Sequence, residues 1–403
     1  MIDLAALRTT PNVLAAHYSR FGVAERLLLT GHSHQAWPDV AAQGQMEAFE
    51  DAAAAVEDKW DLAFARADAV REGFRRWLGD PIAEIALGAS THDLMIRFLS
   101  AIDLPARPRL VTSDGEFHSL RRQLARLAEE GVDVVRVPAS PAGTLAARLA
   151  AEVDDRTAAV LISAVLFETA EIVPGLGSLA AACERHGAEL VVDAYHALGV
   201  LPMPIHTLGL AGAWITGGGY KYLQLGEGNC FLRLPPHAAR MRPVVTGWFA
   251  EFSELAEEVT IPEHSGEVTY GPGEWRWAGA TYDPTSHYRA SRVLEFFADQ
   301  ALEPAFLRTV SQHQLGVLCA AFDALDADPA VIDRDRSVAL TDLGGFVALR
   351  TRRAAELRAA LAQRGVATDH RGDHLRFGPA PYLNDAQLKA AMAALGEVLL
   401  DLA

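Results

Sequence analysis

The sequence predicts an α/β protein: a mainly parallel sheet flanked by helices, followed by a smaller α+β C-terminal domain. Three observations carry this. Between Glu84 and Leu234, short apolar runs of strand length alternate with segments of helical periodicity, the order that builds a parallel sheet wrapped by helices. Two of those runs, Leu190–Asp193 and Ala213–Thr216, deliver the chain to a carboxylate and to three glycines, where α/β sheets bind ligands. From Ser286 onward the pattern changes to long helical segments around a single strand, Phe346–Arg350.

In chain order, residues 1–27 read as a helical lead-in stopped at Phe21-Gly22, then a short strand, Leu27–Leu29, enters the polar loop Gly31–Pro38. Pro38 is expected as the first residue of a new helix. Alanine-rich helices are expected over Val40–Val56 and Phe64–Leu78, the second closed by Gly79-Asp80-Pro81, with Trp60 in the linker between them. Strand Glu84–Leu87 leads through Gly-Ala-Ser-Thr into a helix whose apolar positions are Leu94, Ile96, Phe98, Leu99 and Ile102. Strands follow at Arg109–Thr112, Val132–Val137, Ala158–Ser163 and Phe231–Leu234, with helices at Leu145–Glu152 and Leu176–His186. Glu263–Pro284 is rich in Gly, Pro and Trp without periodicity and reads as a long functional loop. Helices at Ser286–Gln300, Glu303–Leu325 and Ala354–Arg364 and a terminal helix after Asn384-Asp385 complete the chain. The expected domains are an N-terminal segment (1–50) packing with the small domain, a large domain (51–284) and a small C-terminal domain (285–403).

Composition bounds the function. The 403 residues are 50% hydrophobic and 22% charged, ordinary for a globular enzyme with room for two domains. A formal net charge of -16 repels phosphate backbones and argues against a nucleic-acid partner. The three cysteines, Cys183, Cys230 and Cys319, have no paired spacing, so neither a disulfide framework nor a zinc site is expected. His32 and His34 alternate without a third ligand nearby, which favours a substrate-facing loop over a metal. No apolar stretch could span a bilayer and the N-terminus lacks a signal-like pattern, so a cytoplasmic protein with no membrane partner is expected.

The chemistry centres on Lys221, which follows the glycines and Tyr220. Apolar walls lower an ammonium's pKa, and a partly neutral lysine can condense with a carbonyl. Alone, the stretch reads better as a surface lysine in a Gly-rich hairpin. The preceding run, ending Asp193-Ala-Tyr-His196, changes the balance: an acid at a strand end and a lysine one strand later are what a pyridoxal phosphate site requires, the acid keeping the ring nitrogen protonated and the lysine holding the aldehyde. A helix cap for Asp193 and a core role for His196 are the plain alternatives.

The order D-A-Y-H-A-L-G, then G-G-Y-K-Y-L, then V-T-G-W-F resembles the class V branch of fold-type I pyridoxal phosphate enzymes, and within it the kynureninases, along nearly the whole chain from about Leu28. The resemblance implies pyridoxal 5'-phosphate as cofactor and a homodimer with shared active sites. It implies a phosphate cradle at Ser90 and Thr91, a helix start whose N–H groups and hydroxyls suit an anion. It implies Phe117 stacked on the pyridine, Asp193, His196, Tyr220 and Lys221 around the ring, Trp248 near the phosphate, and Thr281 reaching the phosphate of a neighbouring subunit. For the substrate it implies Arg376 on the α-carboxylate, with Ser33 and Trp60 beside it. R-x-x-P-x-P from Arg376 to Pro381, with Asn384 beyond, keeps the family's spacing. The chain departs from that pattern at Gly31–Gln35, at Leu120 where an aspartate is usual, and at Glu251 where histidine is usual.

The implied reaction is hydrolysis of the Cβ–Cγ bond of L-kynurenine or 3-hydroxykynurenine, giving (hydroxy)anthranilate and L-alanine, with Lys221 as base, Asp193 holding the protonated ring and Tyr220 relaying a proton to Cβ. The alternatives are another class V enzyme (aminotransferase, epimerase, or a cysteine desulfurase or selenocysteine lyase) or a pyridoxal-phosphate-binding protein without turnover. Desulfurase relatives usually need a C-terminal loop cysteine, and none follows Cys319.

Overall fold

A computed structural model describes residues 2–251 and 268–402. Residues 263–267 of the expected Gly/Pro/Trp loop lie outside the described residues.

The chain opens with α1 (Leu4–Arg8) and a 3-10 turn at Ala15–Phe21 that Gly22 ends in the left-handed region, φ 59°. Next come β1 (Leu27–Leu28), α2 (Val40–Ala55) and α3 (Lys59–Leu78). The large sheet is threaded by β2 (Glu84–Gly88), α4 (Thr91–Ala101), β3 (Arg109–Ser113), α5 (His118–Glu129), β4 (Asp133–Val137), α6 (Leu145–Ala151), β5 (Thr157–Ser163), α7 (Leu176–His186), β6 (Glu189–Asp193), β7 (Trp214–Gly218) and β8 (Cys230–Leu234). The remainder is α8 (Thr285–Asp299), α9 (Pro304–Asp323), β9 (Val347–Arg350), α10 (Ala354–Gln363), β10 (Val366–Ala367), β11 (Asp369–Arg371), β12 (His374–Phe377) and α11 (Asp385–Asp401).

Among the described residues, seven strands form the main sheet in the order β2-β8-β7-β6-β5-β3-β4. The run β4-β3-β5-β6-β7 is parallel. β8 runs antiparallel to both β7 and β2, so the sheet is mixed at one edge. β5 is buried at every position, Thr157 to Ser163, as a central strand covered on both faces requires. A second, three-stranded antiparallel sheet has the order β11-β12-β9. β1 pairs in parallel with β10, Leu27 opposite Val366, so the N-terminal segment is tied to the C-terminal part by backbone hydrogen bonds.

Several sequence expectations are corrected. α3 begins at Lys59, so Trp60 sits in its first turn and not in a linker. α2 starts after Asp39, leaving Pro38 just upstream of the helix. α5 was not anticipated. It starts directly after Phe117, and its Leu120, Leu124 and Leu127 recur at helical spacing between arginines. α11 carries the expected start as a full capping box, Asn384 and Gln387 each bonding the other's backbone.

Candidate active site

Parallel register sets the site. Ser163 at the end of β5 stands opposite Asp193 at the end of β6, and Asp193 stands opposite Thr216 on β7. Beyond β7 the chain turns at Gly219 and brings Tyr220 and Lys221 back over the strand ends. Gly218 has to be glycine: an added Cβ would collide with the Tyr195 ring and come within 2.7 Å of Cys230 Sγ.

Lys221 is 6% exposed. Its Nζ lies 2.7 Å from His196 Nε2 and faces the rings of Tyr195, Phe117 and Tyr220 at 4.6, 5.4 and 5.8 Å from their centroids. Burial brings its pKa down to about 7, partly opposed by Asp193. Among the described residues no carboxylate forms an ion pair with it. His196 is also buried; desolvation first and Lys221 second drive its pKa well below the ordinary histidine value, so the ring is neutral. Its Nδ1 has no hydrogen-bond partner. Asp193 accepts the Tyr195 N–H at 2.8 Å, and burial raises its pKa.

These groups line a cavity of about 210 Å³ with Ser90, Thr91 and Phe117. Ser90 is the N-cap of α4 and its Oγ accepts the Asp93 N–H at 3.1 Å, so its hydroxyl serves to cap the helix. Thr91 and His92, the first helical residues, still face the cavity, and the positive end of α4 points there. Ser119, and not Leu120, supplies polar wall on the Phe117 side. An electrophilic aldehyde, a basic ring nitrogen and a phosphate would meet a near-neutral lysine, an acid and a helix start here. The residues therefore fit pyridoxal phosphate, and the buried His196 Nδ1 without a partner is a polar atom such a group could satisfy.

Trp248 and Thr281 come together, Trp248 Nε1 donating to Thr281 Oγ1 at 3.2 Å, but not in this cavity. Thr281 lines a neighbouring cleft of about 610 Å³, which shares Ala89, Glu227 and Gly228 with it. Trp60 packs edge-on against Phe249 and Tyr282, both of which line that cleft. Ser33 bonds His34 Nδ1 at 3.1 Å, and His34 stacks on Tyr220 with centroids 5.0 Å apart.

Arg376, on β12, is 2% exposed. Its Nε and Nη2 close on the Asp369 carboxylate of β11 at 2.9 and 2.5 Å, and Nη1 donates to the Phe167 carbonyl. One bidentate edge of the guanidinium is thus already committed inside the protein. Three of about five N–H donors are used, leaving two, and Arg376 is not among the residues that line the Lys221 cavity. His32 bonds the same carboxylate at 2.7 Å. Burial would raise Asp369's pKa, but His32 and Arg376 overcome it and hold the carboxyl far below the usual range. Sequence reasoning missed Asp369, Tyr195 and Glu116. The Asp369-x-Arg371 spacing could have pointed to Asp369 and the D-A-Y-H run to Tyr195; nothing in the sequence marks Glu116.

No protein-family model matches the chain. An uncharacterized aminotransferase, YcbU of Bacillus subtilis, is 21% identical over 337 residues, 83% of this chain and 84% of that one. A kynureninase of Xanthomonas campestris is 30% identical over 267 residues, which is 62% of this chain and 60% of the kynureninase. The cystine C–S lyase C-DES, solved with its product cysteine persulfide, superposes with a TM-score of 0.79 at 15% identity, covering 93% of this chain and 98% of that one. The cysteine desulfurase CsdA of Escherichia coli gives 0.75 at 17% identity, covering 100% and 99%. The fold is therefore that of the fold-type I pyridoxal phosphate-dependent transferases. Within that class it is the class V aminotransferase-like form.

Proposed function

We propose that this chain is a pyridoxal phosphate-dependent enzyme of the class V branch whose reaction is kynureninase-type hydrolysis, releasing (hydroxy)anthranilate and L-alanine from L-kynurenine or 3-hydroxykynurenine. The observation that carries the cofactor is Lys221, a buried amine with a pKa near 7, in one cavity with Asp193 and the start of α4. The finer reading is supported by the partial identity to a kynureninase and by Tyr220-Lys221-Tyr222 at the end of β7.

Bound there, pyridoxal phosphate supplies an electrophilic carbon and a protonated ring that accepts electron density from the substrate's Cα. Asp193 holds the proton on the ring nitrogen. Lys221 Nζ, near neutrality at pH 7, takes the Cα proton. Tyr220, whose hydroxyl burial pushes up to about 12, keeps its proton at neutral pH and can deliver it to Cβ. Arg376 offers its two remaining N–H groups to the α-carboxylate while Asp369, itself held by His32, fixes its plane.

A homodimer completes the proposal. Met46 and Phe49 on α2, Val56 and Leu62 beside and within α3, and Val244 and Val245 are exposed large apolar side chains that a second copy would cover. The protein loaded with pyridoxal phosphate, offered L-kynurenine, 3-hydroxykynurenine, L-cysteine and amino acid/oxo acid pairs in turn, should give alanine and the aryl amine in equal amounts from the first two. Sulfide or an exchanged amino acid would replace the hydrolase by a lyase or aminotransferase. A yellow protein inert to all would retire the enzymatic reading.

A further inference from the structure

Behind the wall that carries Asp193 lies a second acid that the mechanism above does not use. Glu116, 2% exposed, sits between two hydroxyls, with Ser113 and Ser163 each donating to one of its oxygens at 2.6 Å. Ser163 lines the Lys221 cavity and stands in register with Asp193 on the adjacent strand. Ser113 Oγ already accepts the Gly115 N–H at 3.2 Å, whereas Ser163 Oγ accepts no hydrogen bond among the described residues. A protonated Glu116 therefore donates to Ser163, and the Ser163 hydrogen is freed to turn into the cavity. An ionised Glu116 draws both hydroxyl hydrogens to itself, and Ser163 then shows the cavity only lone pairs.

We propose that Glu116 is a positioning residue of the cofactor site, an acid whose proton decides whether Ser163 presents a donor beside Asp193 and whose charge adds to that of Asp193. This rests on the pyridoxal phosphate reading of the cavity. Burial raises the Glu116 pKa to about 7, with Asp193 adding to the rise and both serines opposing it, so the acid changes state in the neutral range. Asp193 is the charged group that acts on Glu116, and the cavity that Ser163 lines also holds His92, Tyr195, His196, Tyr220, Lys221, Glu227 and Cys230.

The test is an absorbance titration of the bound cofactor between pH 5.5 and 9 in the loaded wild type and in Glu116→Gln. Glutamine keeps a contact to each serine but cannot ionise, so a purely structural role leaves the titration unchanged. The negative charge of Glu116 favours the protonated cofactor above neutral pH. Its loss should lower the spectral midpoint by about half a pH unit or more. Ser163→Ala serves if the glutamine variant does not fold: it strips one donor from the ionised acid, so Glu116 gains its charge only at higher pH and the cofactor midpoint falls in this variant too. A midpoint unchanged in both variants, or displaced the other way, overturns the proposal and leaves the cofactor reading standing. A wild type that takes up no pyridoxal phosphate overturns both.

Discussion

Lys221 Nζ and His196 Nε2 lie 2.7 Å apart inside the protein, and neither side chain has a carboxylate partner among the described residues. Two basic groups at that distance disfavour a second proton, which together with burial keeps the pair near neutral. The chain has three lysines, and Lys59 and Lys389 are not buried.

Covalent attachment of pyridoxal phosphate should therefore occur at Lys221 alone. Only the neutral amine reacts, and because the Lys221 pKa is lowered to about 7, the rate should rise through pH 7 and level off above it. An ordinary lysine would still be climbing near pH 10. Borohydride trapping at a series of pH values, followed by peptide mapping, measures both site and profile. Label on Lys59 or Lys389 would move the site.

Asp193→Asn should keep the cavity and retain cofactor, because the Tyr195 N–H can still be accepted by the amide oxygen. It removes the charge that holds the ring proton. Turnover should fall by about 10²-fold or more, the scale of a lost acid–base contribution. Near-normal turnover with full cofactor occupancy would assign the ring proton to another group.

Arg376→Ala is expected to lower kcat/KM on the accepted amino acid by at least about thirtyfold, on the order of 2 kcal/mol, with little change in the cofactor spectrum. Arg376→Lys should not restore it, since an ammonium cannot hold Asp369 with one edge and a ligand with another. A substrate affinity unchanged in both would place the carboxylate elsewhere, with Arg371 on β11 next to be tested.

Asp369→Asn should destabilise the protein at pH 7 by about 3 kcal/mol, because it leaves buried Arg376 without its counter-charge. The folded pKa of Asp369 is depressed, so its stabilisation is fully present above the unfolded value near 4 and drains as pH falls toward the folded one. The gap between wild type and variant should therefore narrow below pH 4. Thermal unfolding at pH 7 and pH 3 checks the sign.

Phe49→Asp on α2 should convert a dimer to monomers, since Phe49 is 69% exposed and its charge would be buried by a second copy. Sedimentation of wild type and variant at equal concentration decides it. A wild type already monomeric would remove the shared-site reading.

The sequence by itself determined the alternation of strands and helices and the placement of Asp193 and Lys221 at strand ends, because both depend on local patterns: apolar periodicity, glycine and short spacing along the chain. It could not show that β8 runs antiparallel, since a strand's direction in a sheet depends on its connections and not on its own residues. Nor could it show that Asp369 holds both Arg376 and His32, or that Glu116 lies behind Asp193. His32 and Asp369 are 337 residues apart, and Glu116 and Ser163 are 47. Such pairs exist only once the β1–β10 pairing and the parallel β3-β5-β6 register have formed, and burial then sets the ionisation that these residues bring to the site.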